Sequence, residues 1–406
     1  MTRRSGRVFW VNQFAVPPDQ PGGTRHYDMA GELDRLGHDV RLLASDLSLH
    51  ERRYSRRRSA WDLRVLSETI GDVGFEWLPA GSYERNDWRR GASMMVFALA
   101  ALGRLLVTRR HPGDVVIGSS PHLLGAAGAW AGARITRRRF ILEVRDLWPE
   151  SYTAVAGSGG AQERLLRTLA DWLYRHSDHI VILAEGSRAN VVDHGGPSDR
   201  ISFIPNGVDL DSFPTADHEV GPRIRFVYAG AHGPANGLEV AVDAAAEVQR
   251  RGCSDIEVVL VGDGPAKAEL LERARRTAAS VTFLDPVPKI EVPGLFGSMD
   301  AGLMLLADTE LFSYGVSPNK LFDYLAANLP VVTNVPGFVT EVVEEAGAGF
   351  AVAPDDAGAL ADGLIAMAVA IRTDASRYRS GREYVAAHFD RRALAAHLDS
   401  ILDSAA

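Results

Sequence analysis

The sequence predicts an α/β protein made of two doubly wound domains in series. Three observations lead there. The 406 residues exceed what one hydrophobic core usually organises. Short apolar, strand-like runs alternate with segments of helical spacing. That alternation pauses in a loop-rich stretch at 206–221 and then begins again.

Residues 8–13 are the first apolar run, followed by a Pro/Gly loop over 17–23. Helical spacing runs from about 24 to 36, with Met29, Ala30, Leu33 and Leu36 on one face, and Gly37-His38 ends it. Residues 39–44 read as the next strand, so the pair should be parallel with a helical crossover. Further strands are expected at 115–118, 140–144, 180–183 and 201–205. The second half gives strands at 225–228, 257–261, 281–284, 301–305 and 331–333, with helices over 237–250 and 266–279. The expected domains are an N-terminal one over 1–205, a C-terminal one over 206–385, and a last helix in 386–406 packing back toward the first. Ligands of such domains bind at the carboxyl ends of the strands, and two domains imply a cleft.

Composition excludes several classes. One cysteine, Cys253, leaves no disulfide framework and no multi-cysteine zinc site, and the twelve histidines show no metal spacing. No metal, no nucleic-acid partner and no secretory signal is expected, so the chain reads as cytoplasmic. Charge is uneven: residues 1–205 hold 28 Arg, no Lys and 23 acidic residues, net +5, and the remainder is net −13. The arginines cluster at 52–53, 56–58, 89–90, 109–110 and 137–139. Among them lies the apolar stretch 92–107, which at sixteen residues with an internal Arg104 is too short and too charged to span a bilayer. It suits either a buried helix or a surface helix resting on an anionic membrane. Only Lys267, Lys289 and Lys320 are lysines, which singles each out.

Three loops could carry chemistry. Gly22-Gly23-Thr24-Arg25 opens a helix after the first strand and offers backbone amides to an anion, although it lacks the lysine of a nucleotide P-loop and the glycine spacing of a dinucleotide site. The stretch 226–237 is a strand, a small-residue loop and a helix start, in which Gly230, His232, Asn236 and Gly237 can face a ligand. In the third, Gly315, Val316, Ser317, Asn319 and Lys320 precede or open an amphipathic helix. Free amides, a positive helix end, two polar side chains and a lysine suit a diphosphate. Asp323, one turn in, could accept the paired hydroxyls of ribose. By itself the same stretch reads equally as an ordinary capped helix.

Taken together, Ile204-Pro205-Asn206-Gly207-Val208-Asp209, Val261-Gly262-Asp263-Gly264-Pro265, Leu329-Pro330-Val331-Val332 and Gly337 with Glu341 resemble the retaining glycosyltransferases of family 4. The resemblance runs over nearly the whole chain. It implies the GT-B fold of two Rossmann-like domains, the C-terminal one holding a nucleotide-sugar and the N-terminal one meeting the acceptor. Asn12-Gln13-Phe14 with Gly22 to Arg25, the stretch Val144-Arg145-Asp146-Leu147-Trp148-Pro149-Glu150-Ser151, and Ser317 to Phe322 are similar to the WbuB-like branch, N-acetyl-fucosamine transferases of surface-polysaccharide assembly.

The sequence departs from the family pattern at the donor site. Of two family glutamates eight positions apart, the second matches Asp323 and the first falls on Gly315. The usual Arg and Lys match Ala231 and Asn236, and a common His matches Arg145. Lys320, assisted by His232, is therefore the expected catalytic cation, with Arg145 and Asp146 facing the sugar or acceptor. The implied reaction moves an N-acetylated hexosamine or deoxyhexosamine from a UDP-sugar to an acceptor hydroxyl with retention, with no cofactor, metal or enzymic nucleophile. A lipid-linked acceptor at the inner membrane face fits the arginines and the apolar stretch. The alternatives are transfer to a soluble metabolite and a non-catalytic sugar-nucleotide-binding subunit.

Overall fold

The computed structural model describes residues 6–48, 53–59, 61–83, 88–150, 160–214, 219–309, 315–374 and 376–404. Arg52 and Ser151 lie outside them. Two compact units emerge: one holds the described residues up to Pro17, Gly23–Pro205 and the chain from Arg391 on, the other Pro18–Gly22 and Asn206–Asp390. The last helix, Arg391–Asp403, belongs to the first unit, where Leu394, Ala395, Leu398 and Leu402 join a core with Val8, Trp10 and Val115. The helix Gly381–His388 stays with the second unit.

The first unit is built on an eight-stranded sheet. In chain order its strands are β1 Arg7–Val11, β2 Asp39–Ser45, β3 Leu66–Ile70, β4 Val73–Leu78, β5 Val115–Ser119, β6 Arg139–Val144, β7 His179–Ile182 and β8 Ile201–Phe203. They lie in the order β3-β4-β2-β1-β5-β6-β7-β8, parallel except for the β3–β4 hairpin at one edge. Near-continuous Val/Ile/Leu runs suit strands covered by helices on both faces. The β3–β4 hairpin falls in the arginine-rich stretch between the strands expected at 39–44 and 115–118, where no strand is expected from sequence. Stacking of Phe75 on Trp77, ring centroids 4.7 Å apart, anchors it.

Several clustered arginines hold this unit together. Arg57 is buried, pairs with Asp46 at 2.6 Å and donates to the carbonyls of Asp62 and Trp77. Arg56 pairs with Glu68 at 2.9 Å. Buried Arg138 pairs with Asp114 and donates to the carbonyls of Leu105 and Thr108. A guanidinium with five donors can satisfy both a carboxylate and the open carbonyls at element ends, and these do. These three are committed to their partners; Arg58, Arg89, Arg109 and Arg110 are exposed.

The apolar stretch belongs to a longer helix, Trp88–Val107, whose 20 residues are long and apolar enough to span a bilayer, beyond the sixteen read from sequence. One face is packed: Phe97, Ala98, Ala101 and Leu105 meet the helix Leu123–Ile135, where Gly128 and Gly132 admit Ala98 and Leu105 at close range. The other face is open, with Trp88, Leu99 and Val107 at 76, 60 and 78% exposure. The helix contains no acidic residue.

The second unit has six parallel strands: β9 Ile224–Ala229, β10 Ile256–Val261, β11 Val281–Leu284, β12 Ala301–Met304, β13 Val331–Thr333 and β14 Gly349–Ala351. Their order is β11-β10-β9-β12-β13-β14. Alternate side chains of β9 enter opposite cores, Phe226 and Tyr228 in one and Val227 in the other. The order reverses between β9 and β12, and the loops leaving these two strands frame a crevice there.

Candidate functional site

Two glycines bring the loop after β10 against the loop after β9. Gly230 N–H donates to Val261 O at 2.9 Å and His232 N–H to Asp263 O at 2.8 Å, continuing the sheet beyond its strands. A Cβ on Gly262 would sit 1.9 Å from Gly230 O, and one on Gly264 2.5 Å from His232 O. No side chain fits either gap. The Val-Gly-Asp-Gly-Pro motif, noticed in the sequence only as part of a family likeness, therefore shapes the 230–232 loop. On the other side, Ala307 N–H donates to Ala235 O at 3.1 Å, and Gly237 adopts φ +55° with Ala307 against it.

The helix Asn319–Ala326 reaches this loop from across the crevice. Its apolar side, Leu321, Phe322, Tyr324 and Leu325, is buried, and Tyr324 Oη accepts from Ala229 N–H at 3.0 Å. Among the described residues no side chain caps its start; Leu321 N–H turns back to Pro318 O at 3.2 Å, which leaves the amides of Asn319 and Lys320. Lys320 lies in that first turn. Its Nζ stands 3.7 Å from the centroid of the Tyr228 ring, and a Cβ on Gly230 would come within 2.8 Å of it. Among the described residues no carboxylate pairs with it. Desolvation brings its pKa down to about 7.

His232 is fully buried beside this lysine, and among the described residues neither ring nitrogen has a hydrogen-bond partner. Its pKa falls to about 4, through desolvation first and then the charges of Lys267 and Lys320. A partly buried ammonium, a positive helix end and an orphaned imidazole at one place are mutually unfavourable. An anion there would relieve all three.

The other donor-side candidates surround this point. Asn236 ends a short 3₁₀ turn, Pro234–Asn236. Gly315 has φ +81°, and Val316 packs on the core. Ser317 Oγ accepts from Asn206 N–H at 2.8 Å, and the Asn206 amide also donates to Ser317 O. Asn319 starts the helix. Asn206 of the Ile-Pro-Asn-Gly motif thus fixes the loop that carries Lys320, a role the sequence showed only as a turn. Asp323 is buried and ion-paired to Lys289, a partner sequence reasoning did not assign.

The expected anion loop, which joins the first unit from Gly23 on, is arranged differently. Gly22 and Gly23 are exposed, but Thr24 Oγ1 donates to Asp28 at 2.7 Å, and Arg25 turns inward. Arg25 is 1% exposed, pairs with Glu143 at 2.9 Å and donates to the carbonyls of Ile204 and Pro205. Glu143 also meets His26 and Ser119, and its pKa is lowered, burial being outweighed by Arg25 and His26. Arg25 braces the interior and does not reach a phosphate from there. Asp146 follows β6 with an exposed side chain, its carbonyl accepting from Ser120 Oγ at 3.2 Å; no ion pair joins it to Arg145 among the described residues.

Comparison with known proteins agrees with this layout. Residues 22–207 match the glycosyl transferase 4-like domain, and residues 223–369 match glycosyl transferases group 1. The putative colanic acid biosynthesis glycosyl transferase WcaI of Escherichia coli is 22% identical over 315 residues, 74% of this chain and 76% of that one. Alignments to the curated relatives span 47–76% of their lengths. The sucrose-phosphate synthase of Thermosynechococcus elongatus superposes with a TM-score of 0.76 at 18% identity over 99% of both chains. Anabaena HepE, solved with UDP and glucose, gives 0.70 at 15% identity over 98% of this chain and 99% of that one. With two adjoining domain matches and a shared architecture over almost its full length, the chain belongs to the GT-B glycosyltransferases.

Proposed function

We propose that the protein is a retaining, metal-independent glycosyltransferase. It moves an N-acetylated hexosamine or deoxyhexosamine from a UDP-sugar to an acceptor hydroxyl in cell-surface polysaccharide or glycolipid assembly. The observation that carries the donor half is Lys320: an ammonium without a carboxylate partner at an uncapped helix start, against the glycine loop of the strand-order switch. A relative named for colanic acid biosynthesis and a fold neighbour solved with UDP and glucose support the donor class and the setting.

The chemistry follows from charge. As the bond between the anomeric carbon and the diphosphate oxygen breaks, negative charge collects on the leaving phosphate. Lys320, the amides that open the helix Asn319–Ala326 and those amides of the 230–237 loop not already bonded to a carbonyl would stabilise it with little reorganisation. The leaving phosphate takes the proton of the attacking hydroxyl on the same face of the sugar, which preserves configuration without an enzymic nucleophile. Arg145 and Asp146 would meet the sugar or the acceptor.

The acceptor half rests on the open face of Trp88–Val107. Its exposed Leu99 and Val107 lie between exposed arginines, Arg89 before and Arg109 and Arg110 after, with no acid among them. Such a face suits the inner leaflet of the cell membrane, where a lipid-linked acceptor would be presented. A thermal-shift panel of UDP, GDP and dTDP in chelator tests the donor class. Ligand at 100 times its Kd stabilises by about 2.7 kcal/mol, a readily measured shift. UDP should give the largest shift, and no shift with any of the three would refute the reading.

A further inference from the structure

We propose that Lys289 reads the ribose of the donor together with Asp323, the pair presenting one acceptor and one donor to the two neighbouring hydroxyls. The inference rests on the donor site described above. Lys320 and Asp323 are three residues apart on one helix and share a face, so the phosphate end and Asp323 are about one turn, ~5 Å, apart.

Asp323 is not a free carboxylate. Its Oδ2 accepts from Lys289 Nζ, while Oδ1 has no protein partner among the described residues. The two side chains are 19 and 9% exposed, and the Lys289 ammonium lies 5.6 Å from the centroid of the Phe213 ring, which limits where it can move. A free carboxylate can accept from both hydroxyls of a vicinal diol at once. With Oδ2 already accepting from Lys289, Oδ1 is the more open oxygen, and we assign it to one hydroxyl. Lys289 has three N–H donors and spends one on Asp323, leaving donors for the oxygen of the other hydroxyl. The pair therefore distinguishes the 2′ and 3′ positions, which a lone carboxylate does not.

The test titrates UDP, 2′-deoxy-UDP, 3′-deoxy-UDP and pyrophosphate calorimetrically into wild type, Lys289→Met and Asp323→Asn. Wild type should bind both deoxy analogues at least tenfold more weakly than UDP. Lys289→Met should lose about tenfold in UDP affinity and bind one deoxy analogue as well as UDP, keep its discrimination against the other, and leave pyrophosphate unchanged. If Lys289 only anchors Asp323, Lys289→Met will weaken all three nucleotides by one factor and keep the wild-type ratios; that result overturns the proposal. Should the variant fail to fold, wild type alone decides, because equal binding of UDP and either deoxy analogue also overturns it. Wild type that binds neither UDP nor pyrophosphate would remove the donor reading itself, whereas pyrophosphate binding without ribose discrimination removes only the role of Lys289.

Discussion

Replacing Lys320 with Met should separate binding from folding. Met keeps an apolar stem against Tyr228 and removes a charge that burial already disfavours, so the melting temperature should hold or rise. The diphosphate loses one charge-assisted contact, worth about 1.5–3 kcal/mol, or roughly 10- to 150-fold in UDP affinity. The pH dependence supplies a second signature. The free-state pKa of Lys320 is about 7 and a bound anion raises it, so binding takes up a proton above that pH. Wild-type affinity should therefore fall as pH rises through 7, by up to about tenfold per unit. Below about 6 the phosphate loses its second charge, which sets the acid limit. Calorimetric titration of UDP from pH 5.5 to 8.5 reads both effects. In Lys320→Met the alkaline fall should vanish. Equal affinities, or an unchanged alkaline limb in the variant, would refute the placement of Lys320 at the phosphates.

Gly262→Ala should damage donor binding and stability together, since its Cβ would lie 1.9 Å from Gly230 O; a variant with wild-type melting and UDP affinity would show that the two loops do not pack this way. Acid should destabilise the first unit. His26 and His122 are buried with pKa values near 4 and 3, against 6.5 unfolded, so full stability is present above 6.5 and is lost as pH falls through that window. Each contributes up to about 1.4 kcal/mol per pH unit, and circular-dichroism melts that stay constant from pH 7 to 4.5 would contradict their burial as neutral groups. Wild type should sediment with anionic vesicles at low salt and release as salt rises. Replacing Arg89, Arg109 and Arg110 with Ser should remove about 3 kcal/mol of attraction while UDP affinity stays the same; equal sedimentation with neutral vesicles would end the membrane reading.

Much of the fold is written in local pattern. Val/Ile runs at regular spacing place most strands within a residue or two, because strands buried on both faces leave that signature. The β3–β4 edge was not legible, since its strands alternate in burial or sit among arginines whose partners, such as Asp46 for Arg57, are distant in sequence. The site divides in the same way. Lys320 stood out by its rarity and its place at a helix start. Arg25 stood in an equally suggestive loop, yet its guanidinium turns inward to Glu143, 118 residues away, and no local pattern records that direction. Lys289 was conspicuous as one of three lysines, but its pairing with Asp323 spans 34 residues of chain and appears only once β11 and the helix Asn319–Ala326 are folded together.

The most direct test watches the donor itself. Purified protein, UDP-sugars and excess EDTA are followed by proton NMR of the anomeric signals, with water or a simple alcohol as the surrogate acceptor. The expected result is slow turnover of a UDP-sugar, with the transferred or released sugar appearing first in the anomeric configuration of the donor, and near-complete loss of that turnover in Lys320→Met. Turnover that requires added magnesium or manganese, a product of inverted configuration, or full activity in Lys320→Met would contradict a metal-free retaining transferase that balances its leaving group with Lys320.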